Sequence, residues 1–196
     1  MTFNEENPFA QRSTLEYELP PFELIRDEHY LPAFYSGTQI QIAEVKQNTD
    51  LPDLADFANT IVALERSGQL LNRMLLVFYN KSSSDTSDAI DAIEEEIAPK
   101  LAAHRDAIRL NPVLFARIKG LFENRHSLNL ESEDLWLLER YHRDFIHSGA
   151  HLSEGDREKL TALNEELSKL ETQFSKNVLA DTNDLAVIVD DFTQLD

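Results

Sequence analysis

The sequence predicts an all-α protein, a multi-helix bundle of about six helices with an extended N-terminal arm and a short strand near the C-terminus. Apolar residues recur at steps of three and four along most of the chain, as on a helix with one buried face. Residues that favour helix starts, such as Asp, Asn and Ser, lie between those stretches. A β-branched run typical of a strand follows Asn183.

The chain is strongly acidic, with 18 basic and 36 acidic residues among 196 and a formal net charge of −18. Such a surface repels phosphate backbones and anionic lipid headgroups, so no nucleic acid and no membrane is expected as a partner. We interpret the acidity as a source of solubility. The absence of cysteine excludes disulfides, thiol catalysis and cysteine-ligated zinc. Neither a secretory signal nor an apolar window of about 18 residues is found, so we expect a cytoplasmic protein.

Residues 1–26 are predicted to form an extended arm on the surface, because Pro8, Pro20 and Pro21 prevent a long helix. Large apolar side chains of the arm are candidate anchors in grooves between helices. These candidates are Phe3, Phe9, Leu15, Tyr17, Leu19 and Phe22. A frayed tail as far as Leu15 is the alternative interpretation.

The first helix is expected over 31–47, with Pro32 in its first turn, where a missing N–H costs nothing. The central helix is expected over 57–80, with Asp56 as its N-cap. Its stripe comprises Phe57, Ile61, Val62, Leu64, Leu71, Leu75, Leu76 and Phe78. Gly68 costs about 1 kcal/mol inside a helix, so it indicates either a break just before it or close approach of a neighbouring helix.

The third helix is predicted to be capped by Asp85 or Thr86. Its helically spaced residues are Ile90, Ile93, Ile97, Leu101, His104 and Ile108. Pro99 falls in its middle and removes one backbone hydrogen bond, so we expect either a kink over 95–98 or two abutting helices.

Asn111 followed by Pro112 predicts the N-terminus of a fourth helix. Its apolar positions are Leu114, Phe115, Ile118, Leu121 and Phe122. A fifth helix is expected over 131–148, ended by Gly149. Its buried residues are expected to be Leu135, Leu138, Tyr141, Phe145 and Trp136. A sixth helix over 153–180 has nearly heptad spacing, which we interpret as packing inside the bundle. Its apolar positions are Leu160, Leu163, Leu167, Leu170, Phe174 and Val178.

His147 and His151 are candidate zinc ligands, because they have the i, i+4 spacing of a zinc-binding helix. Ser148 replaces the glutamate of the H-E-x-x-H pattern, and Gly149 interrupts the helix, so no metal site is predicted there. His104 and His142 are interpreted as satisfied core or surface residues. The acidic runs at 94–96 and 165–166 are interpreted as solvated faces, since adjacent helical residues do not converge. We predict no catalytic, cofactor-binding or metal-binding residue in this chain.

Five separated blocks resemble, in the same order, the N-terminal part of bacterial peptidyl-dipeptidases and oligopeptidase A, of the thimet oligopeptidase family of zinc metallopeptidases. The resemblance covers nearly the whole chain from about Asn7. The blocks are PPFELIRDEHYLPAF (20–34), FANTIVALERSG (57–68), EEEIAPKLAAHRDAIRLNPVLFARI (94–118), LLERYHRDFIHSGAHLS (137–153) and LNEELSKLETQFSKNVL (163–179).

The resemblance implies a larger, helical, two-lobed enzyme, with zinc bound by an H-E-x-x-H helix and a downstream glutamate in the C-terminal half. The chain stops before those residues, so zinc is expected in the missing part and none in this chain. The implied role is to wall a channel that admits short unfolded peptides, with no activity alone. The expected partners are peptide substrates and the missing catalytic domain, and the full-length enzyme is expected to be monomeric.

This resemblance divides the chain into an arm over 1–26, a helical domain over 27–183, and a connection over 184–196 that contains the predicted strand. The parent enzyme is expected to release C-terminal dipeptides, with internal cleavage left open. The alternative is a free-standing acidic helical module that binds a partner without catalysis. An unpaired apolar strand at the end of the chain favours the fragment over the module.

Overall fold

The computed structural model describes residues 3–187, and these residues form a helical protein without strands. The α-helices, in chain order, are α1 (Tyr30–Thr49), α2 (Ala63–Arg66), α3 (Gln69–Ser84), α4 (Asp88–Arg109), α5 (Pro112–Glu123), α6 (Ser132–His147) and α7 (Glu154–Asp184). A π-helical turn over Phe57–Val62 leads directly into α2. The all-α class is thereby confirmed. None of the helices in the described part of the chain has both the length and the apolar composition needed to cross a bilayer.

Two apolar cores hold these helices together. The first core lies among the arm, α1, α3 and most of α4, and its buried residues are Phe9, Tyr30, Ala33, Phe34, Leu70, Leu71, Met74, Val77, Phe78, Ile90, Ile93, Ile97 and Leu101. The second core lies among the C-terminal ends of α1 and α4, the π-helical turn, α5 and α6. Its buried residues are Val45, Ile61, Ile108, Leu114, Phe115, Ile118, Leu121, Leu138, Phe145 and Ala150. Because α1 and α4 contribute to both cores, these two helices join them.

The central helix is interrupted at Gly68, and both predicted reasons for the glycine hold. Ser67 is extended and Gly68 has a positive φ of 71°, so the helix breaks between α2 and α3. A β-carbon on Gly68 would lie 2.4 Å from Cδ of Gln41 on α1, so the neighbouring helix also approaches closely. The predicted Asp56 cap is present, since its carboxylate accepts from the backbone N–H of Asn59 at 2.6 Å.

α4 runs unbroken through Pro99, so the prediction of two abutting helices is wrong. Ile97 and Leu101, on either side of the proline, are buried in the first core. We attribute the continuity to this packing, which outweighs the loss of one backbone hydrogen bond. The N-cap is Ser87 rather than Asp85 or Thr86, and its hydroxyl accepts from the N–H of Ile90 at 3.3 Å.

The helix boundaries of α5, α6 and α7 follow the predicted caps. The Asn111 side chain accepts from the N–H of Val113 at 2.9 Å and opens α5. Gly149, with a φ of 92°, follows α6, and Ser153 caps α7. Trp136, an expected core residue of α6, is instead 55% exposed.

The arm is held by its first residues and not by the later anchors. Phe9 is buried in the first core and Phe3 packs against it, so the chain is anchored well before Leu15. The other four candidate anchors are at least half exposed, namely Leu15, Tyr17, Leu19 and Phe22. Phe9 lies against Tyr30 of α1 and its carbonyl accepts from Arg73 of α3, so this part of the arm occupies the gap between the two helices.

The predicted burial of the six apolar positions of α7 is wrong for five of them, whereas Leu160 is half-buried beside Gly149. α7 has no buried residue, and Leu163, Leu167, Leu170, Phe174 and Val178 are between 47% and 70% exposed. The reason is that α7 contacts α4 along one face only, and that face is polar. The predicted strand falls largely on residues 188–196, which lie outside the described residues.

Candidate functional site

A cleft of about 460 Å³ lies where the two cores meet, and we call it the seam cleft. α1, the α2–α3 junction, α4 and α6 supply its walls. Leu71 and Leu101 of the first core and Ile108 and Phe145 of the second core form its apolar walls. Its polar residues are Gln41, Glu65, Ser67, Gln69, Asn72, His104, Arg105, Arg109, Tyr141 and Asp144.

A chain of hydrogen bonds crosses the wall of the seam cleft. His104 Nε2 lies 2.7 Å from Oε1 of Gln41, and the Gln41 amide donates to Ser67 Oγ at 3.4 Å. The Ser67 hydroxyl donates in turn to the carbonyl of Leu64 at 2.8 Å. The chain therefore links α1 and α4 to the carbonyl of Leu64 at the end of α2.

The break at Gly68 belongs to the same arrangement. The Gly68 N–H donates to the carboxylate of Glu44 on α1 at 2.8 Å. This bond, together with the close approach of Gln41, holds the α2–α3 junction against α1. Only a glycine meets both demands, the positive φ and the short distance.

Two titratable groups of the seam cleft, His104 and Tyr141, are shifted toward their uncharged forms. Burial, aided by the positive charge of Arg105, lowers the pKa of His104 below its ordinary value of 6.5. Burial raises the pKa of Tyr141, and its hydroxyl donates to the Glu65 carboxylate at 2.8 Å. Both groups are uncharged at neutral pH, so they offer hydrogen bonds rather than charge.

The seam cleft does not form a catalytic pair. Ser67 Oγ donates to a backbone carbonyl, and the nearest side chain to His104 Nε2 is the amide of Gln41, so no base activates the hydroxyl. The arrangement can bind polar groups, for example those of a peptide backbone. The sequence places His104 in the helically spaced row of α4 as a core or surface residue, and the structure buries it. Sequence reasoning missed Gln41 and Ser67, since a pair separated by 63 positions carries no local signal.

The described residues do not fit a zinc ion. His147 and His151 are both exposed and lie on either side of the Gly149 break. His142 stacks on the ring of Phe122 with centroids 3.8 Å apart. No group of three His, Asp or Glu side chains comes together in residues 3–187. The donor set that zinc requires is therefore lacking in this part of the chain.

The acidic run at 94–96 points in three directions. Glu94 accepts from Ser82 at 2.5 Å, Glu95 from Lys176 at 2.6 Å, and Glu96 from Tyr35 and Lys100. These carboxylates do not converge on one proton, as helical geometry predicts.

The chain is similar in sequence to known peptidases. No family model matches the chain. The chain is 40% identical over 189 residues to dipeptidyl carboxypeptidase of Escherichia coli K12, an alignment that covers 96% of this chain and 28% of that protein. It is 38% identical over 185 residues to dipeptidyl carboxypeptidase of Salmonella typhimurium LT2, covering 94% and 27%. It is 24% identical over 179 residues to oligopeptidase A of Escherichia coli K12, covering 91% and 26%. The chain thus spans little more than a quarter of the length of these relatives.

Proposed function

We propose that this chain is the N-terminal part of a zinc peptidase. The chain belongs to the family of dipeptidyl carboxypeptidase and oligopeptidase A, and it spans 28% of the length of the Escherichia coli dipeptidyl carboxypeptidase. In this proposal the chain forms one wall of a substrate channel. The observation that carries it is the 40% identity over 189 residues to the Escherichia coli dipeptidyl carboxypeptidase.

The proposal places the bond-breaking chemistry outside this chain. Residues 3–187 supply no donor set that fits zinc, and Ser67 and His104 of the seam cleft each bond to Gln41 rather than to one another. Zinc, where bound by the remaining part, would supply a Lewis acid and an activated water. The two cores give this chain the rigidity that a channel wall needs.

The seam cleft suits contact with an extended peptide. It has apolar walls for side chains, and its uncharged His104 and Tyr141 offer polar atoms for a main chain. A wall of this kind holds the peptide and narrows the entrance, so that short unfolded peptides enter and folded proteins do not. We further propose that the full-length enzyme is cytoplasmic and monomeric.

Release of C-terminal dipeptides is proposed in preference to internal cleavage. The two relatives at 40% and 38% identity are named for dipeptide release from a carboxyl end, whereas oligopeptidase A is 24% identical. A higher identity over the same segment favours the activity of the first two.

A second candidate is a free-standing acidic helical module that binds a partner without catalysis. The exposed apolar row on α7 is the surface on which such a module would bind its partner. In this case the chain has no enzymatic role, and the similarity to peptidases records shared ancestry alone.

A chimeric enzyme tests the two candidates. The segment of the Escherichia coli dipeptidyl carboxypeptidase that aligns with this chain is replaced by this chain, and hydrolysis of a short peptide is followed. The unmodified enzyme and the 196-residue chain are the controls. A channel wall predicts a chimera within about tenfold of the unmodified enzyme in kcat/KM, equivalent to about 1.4 kcal/mol, and no hydrolysis by the chain alone.

Two results would contradict the channel wall. One is a folded, zinc-loaded chimera that hydrolyses no peptide, which would favour the binding module. The other is peptide hydrolysis by the purified chain alone, which would place catalysis in this part of the protein. Release of a fragment other than the C-terminal dipeptide would contradict only the preference for dipeptide release.

A further inference from the structure

α7 is amphipathic, but its polar side faces the protein. The half-buried residues that face α4 are Arg157, Thr161, Asn164, Ser168, Thr172 and Lys176. On the other side, Leu163, Leu167, Leu170, Phe174 and Val178 form a row that we call the α7 stripe, and each is 47% exposed or more. A helix of a finished globular surface has the reverse arrangement, with its apolar side buried.

Specific polar contacts fix this orientation. The Asn164 amide donates to the Asp106 carboxylate at 3.0 Å, and Lys176 Nζ donates to Glu95 at 2.6 Å and to the carbonyl of Asp91 at 3.1 Å. These contacts lie about three turns apart along α7 and tie it to α4 at both places. Rotating α7 to bury its stripe against α4 would break all of them.

The α7 stripe has the length and spacing of a helix-binding seam. Its members follow one another at steps of four, three, four and four residues, close to the pattern of a coiled coil. The stripe extends over about 22 Å, the length of about four helical turns. Continuous apolar surface of this kind on a protein marks an interaction site.

The edges of the α7 stripe are acidic. Glu166 and Glu171 flank its middle on its two sides, Asp184 continues the edge that holds Glu166, and Asp181 ends the row itself, seven residues after Phe174. These four are exposed and form no ion pair within residues 3–187. The basic residues Lys159 and Lys169 are already paired, with Asp156 and Glu165 respectively.

We propose that the α7 stripe is the docking surface for an amphipathic helix whose apolar face is flanked by Lys or Arg, supplied by the remaining part of the peptidase. This inference rests on the proposed function, since the chain spans only 28% of the length of its dipeptidyl carboxypeptidase relative. The acidic edges select a basic partner. A second copy of this chain would bring the same acids to the same edges and be repelled.

Two synthetic 21-residue helical peptides with the same leucine stripe test the proposal, one with Lys and one with Glu at the flanking positions. Their binding to the chain is measured by fluorescence anisotropy at low and high salt. We expect the Lys peptide to bind at least about tenfold more tightly than the Glu peptide, and the difference to shrink with salt. The double variant Leu167→Glu/Leu170→Glu should lower its affinity by at least about tenfold.

The matched control is Leu76→Glu on α3, since Leu76 is 66% exposed and lies outside the stripe. It should leave binding unchanged. Equal binding of the two peptides, or no binding of either to the unmodified chain, would overturn the proposal. A dimer of the chain that the double variant abolishes, seen by sedimentation, would also overturn it by making the occupant a second copy.

The two proposals fail separately. Loss of activity in the chimera, with the Lys peptide still bound selectively by the chain, contradicts the channel wall and leaves a binding surface. An active chimera with no selective peptide binding contradicts only the α7 docking surface.

Discussion

α4 and α7 are the two longest helices and pack against each other. Both have an apolar row at helical spacing, but the row is buried on α4 and exposed on α7. α4 buries its six helically spaced residues from Ile90 to Ile108 in the two cores and their seam. α7 buries none and exposes its stripe. The comparison shows that apolar spacing determines which side of a helix is apolar, whereas its neighbours determine whether that side is covered.

The neighbours differ in number and in kind. α4 contacts α1 and α3 as well as α7, so apolar side chains meet it from two other helices. α7 contacts α4 through polar pairs such as Asn164 with Asp106. Folding free energy should therefore be concentrated in α1 to α6, with α7 a peripheral element held by weak interactions.

The largest expected contrast is between alanine substitutions in the two apolar rows. Ile97→Ala on α4 removes a fully buried side chain and should lower the free energy of unfolding by about 3 kcal/mol. Leu170→Ala on α7 removes a side chain that is 59% exposed and should change it by less than about 0.5 kcal/mol. Urea unfolding followed by circular dichroism gives both values. A loss at Leu170 equal to that at Ile97 would show that the stripe is already covered in the isolated chain.

A pair of glycines provides the next contrast. A β-carbon on Gly37 of α1 would lie 2.9 Å from the Cα of Leu71, whereas one on Gly155 of α7 would meet nothing within 4 Å. Gly37→Ala should destabilise the protein by about 2 kcal/mol because α1 and α3 must move apart. Gly155→Ala should stabilise it by about 0.5 kcal/mol through helix propensity. Thermal unfolding distinguishes the two, and equal effects would refute the close α1–α3 approach.

These contrasts show what sequence could and could not predict. The apolar side of α4, the caps at Asp56 and Asn111 and the stop at Gly149 are local properties, and all were predictable. The exposure of the α7 stripe was not, because a heptad-like pattern does not say what covers it. Side chains far apart in the chain, such as Gln41 and His104 of the seam, pair only once the fold brings their helices together.

The continuity of α4 through Pro99 is a second case in which tertiary packing decides. A proline predicts a bend or an end from local rules, and burial on both sides of it prevents the end. The arm is a third case, since Phe9 finds a site between α1 and α3 whereas Phe22 does not. Large apolar residues show where burial is favourable, but the groove that receives them is a property of the whole fold.

The seam and the α4–α7 contact should respond to pH with opposite signs, because burial raises the pKa of Asp106 in the contact and lowers the pKa of His104 in the seam. The pKa of His104 is lowered by burial and by Arg105, so the unfolded chain binds the proton more tightly than the folded chain. The stabilising contribution is present above the unfolded value of 6.5 and is lost as the pH falls through the lowered folded value. Urea unfolding between pH 7.5 and pH 5 should show a loss of stability that is smaller in His104→Gln.

His142 provides the control, because its pKa is lowered as well, by burial and by Lys119 and Arg125. The variant His142→Gln should abolish a different part of the loss of stability at acidic pH. The double variant His104→Gln/His142→Gln should abolish both parts. If His104→Gln leaves the pH dependence unchanged, the imidazole of His104 is not the group that resists protonation in the seam.

A small and local effect is expected at the far end of α7. Lys176 is paired with Glu95, whose side chain is 55% exposed, so Lys176→Ala should lower the free energy of global unfolding by no more than about 1 kcal/mol. The change should be local, because α7 is held by such pairs rather than by a core. Amide hydrogen exchange should therefore speed up in α7 beyond residue 172 and stay unchanged at Ile97 in α4. At 1 M salt the difference between variant and unmodified chain should shrink. Faster exchange at Ile97 as well would mean that α7 unfolds together with the cores, and α7 would then be an integral part of the folded unit.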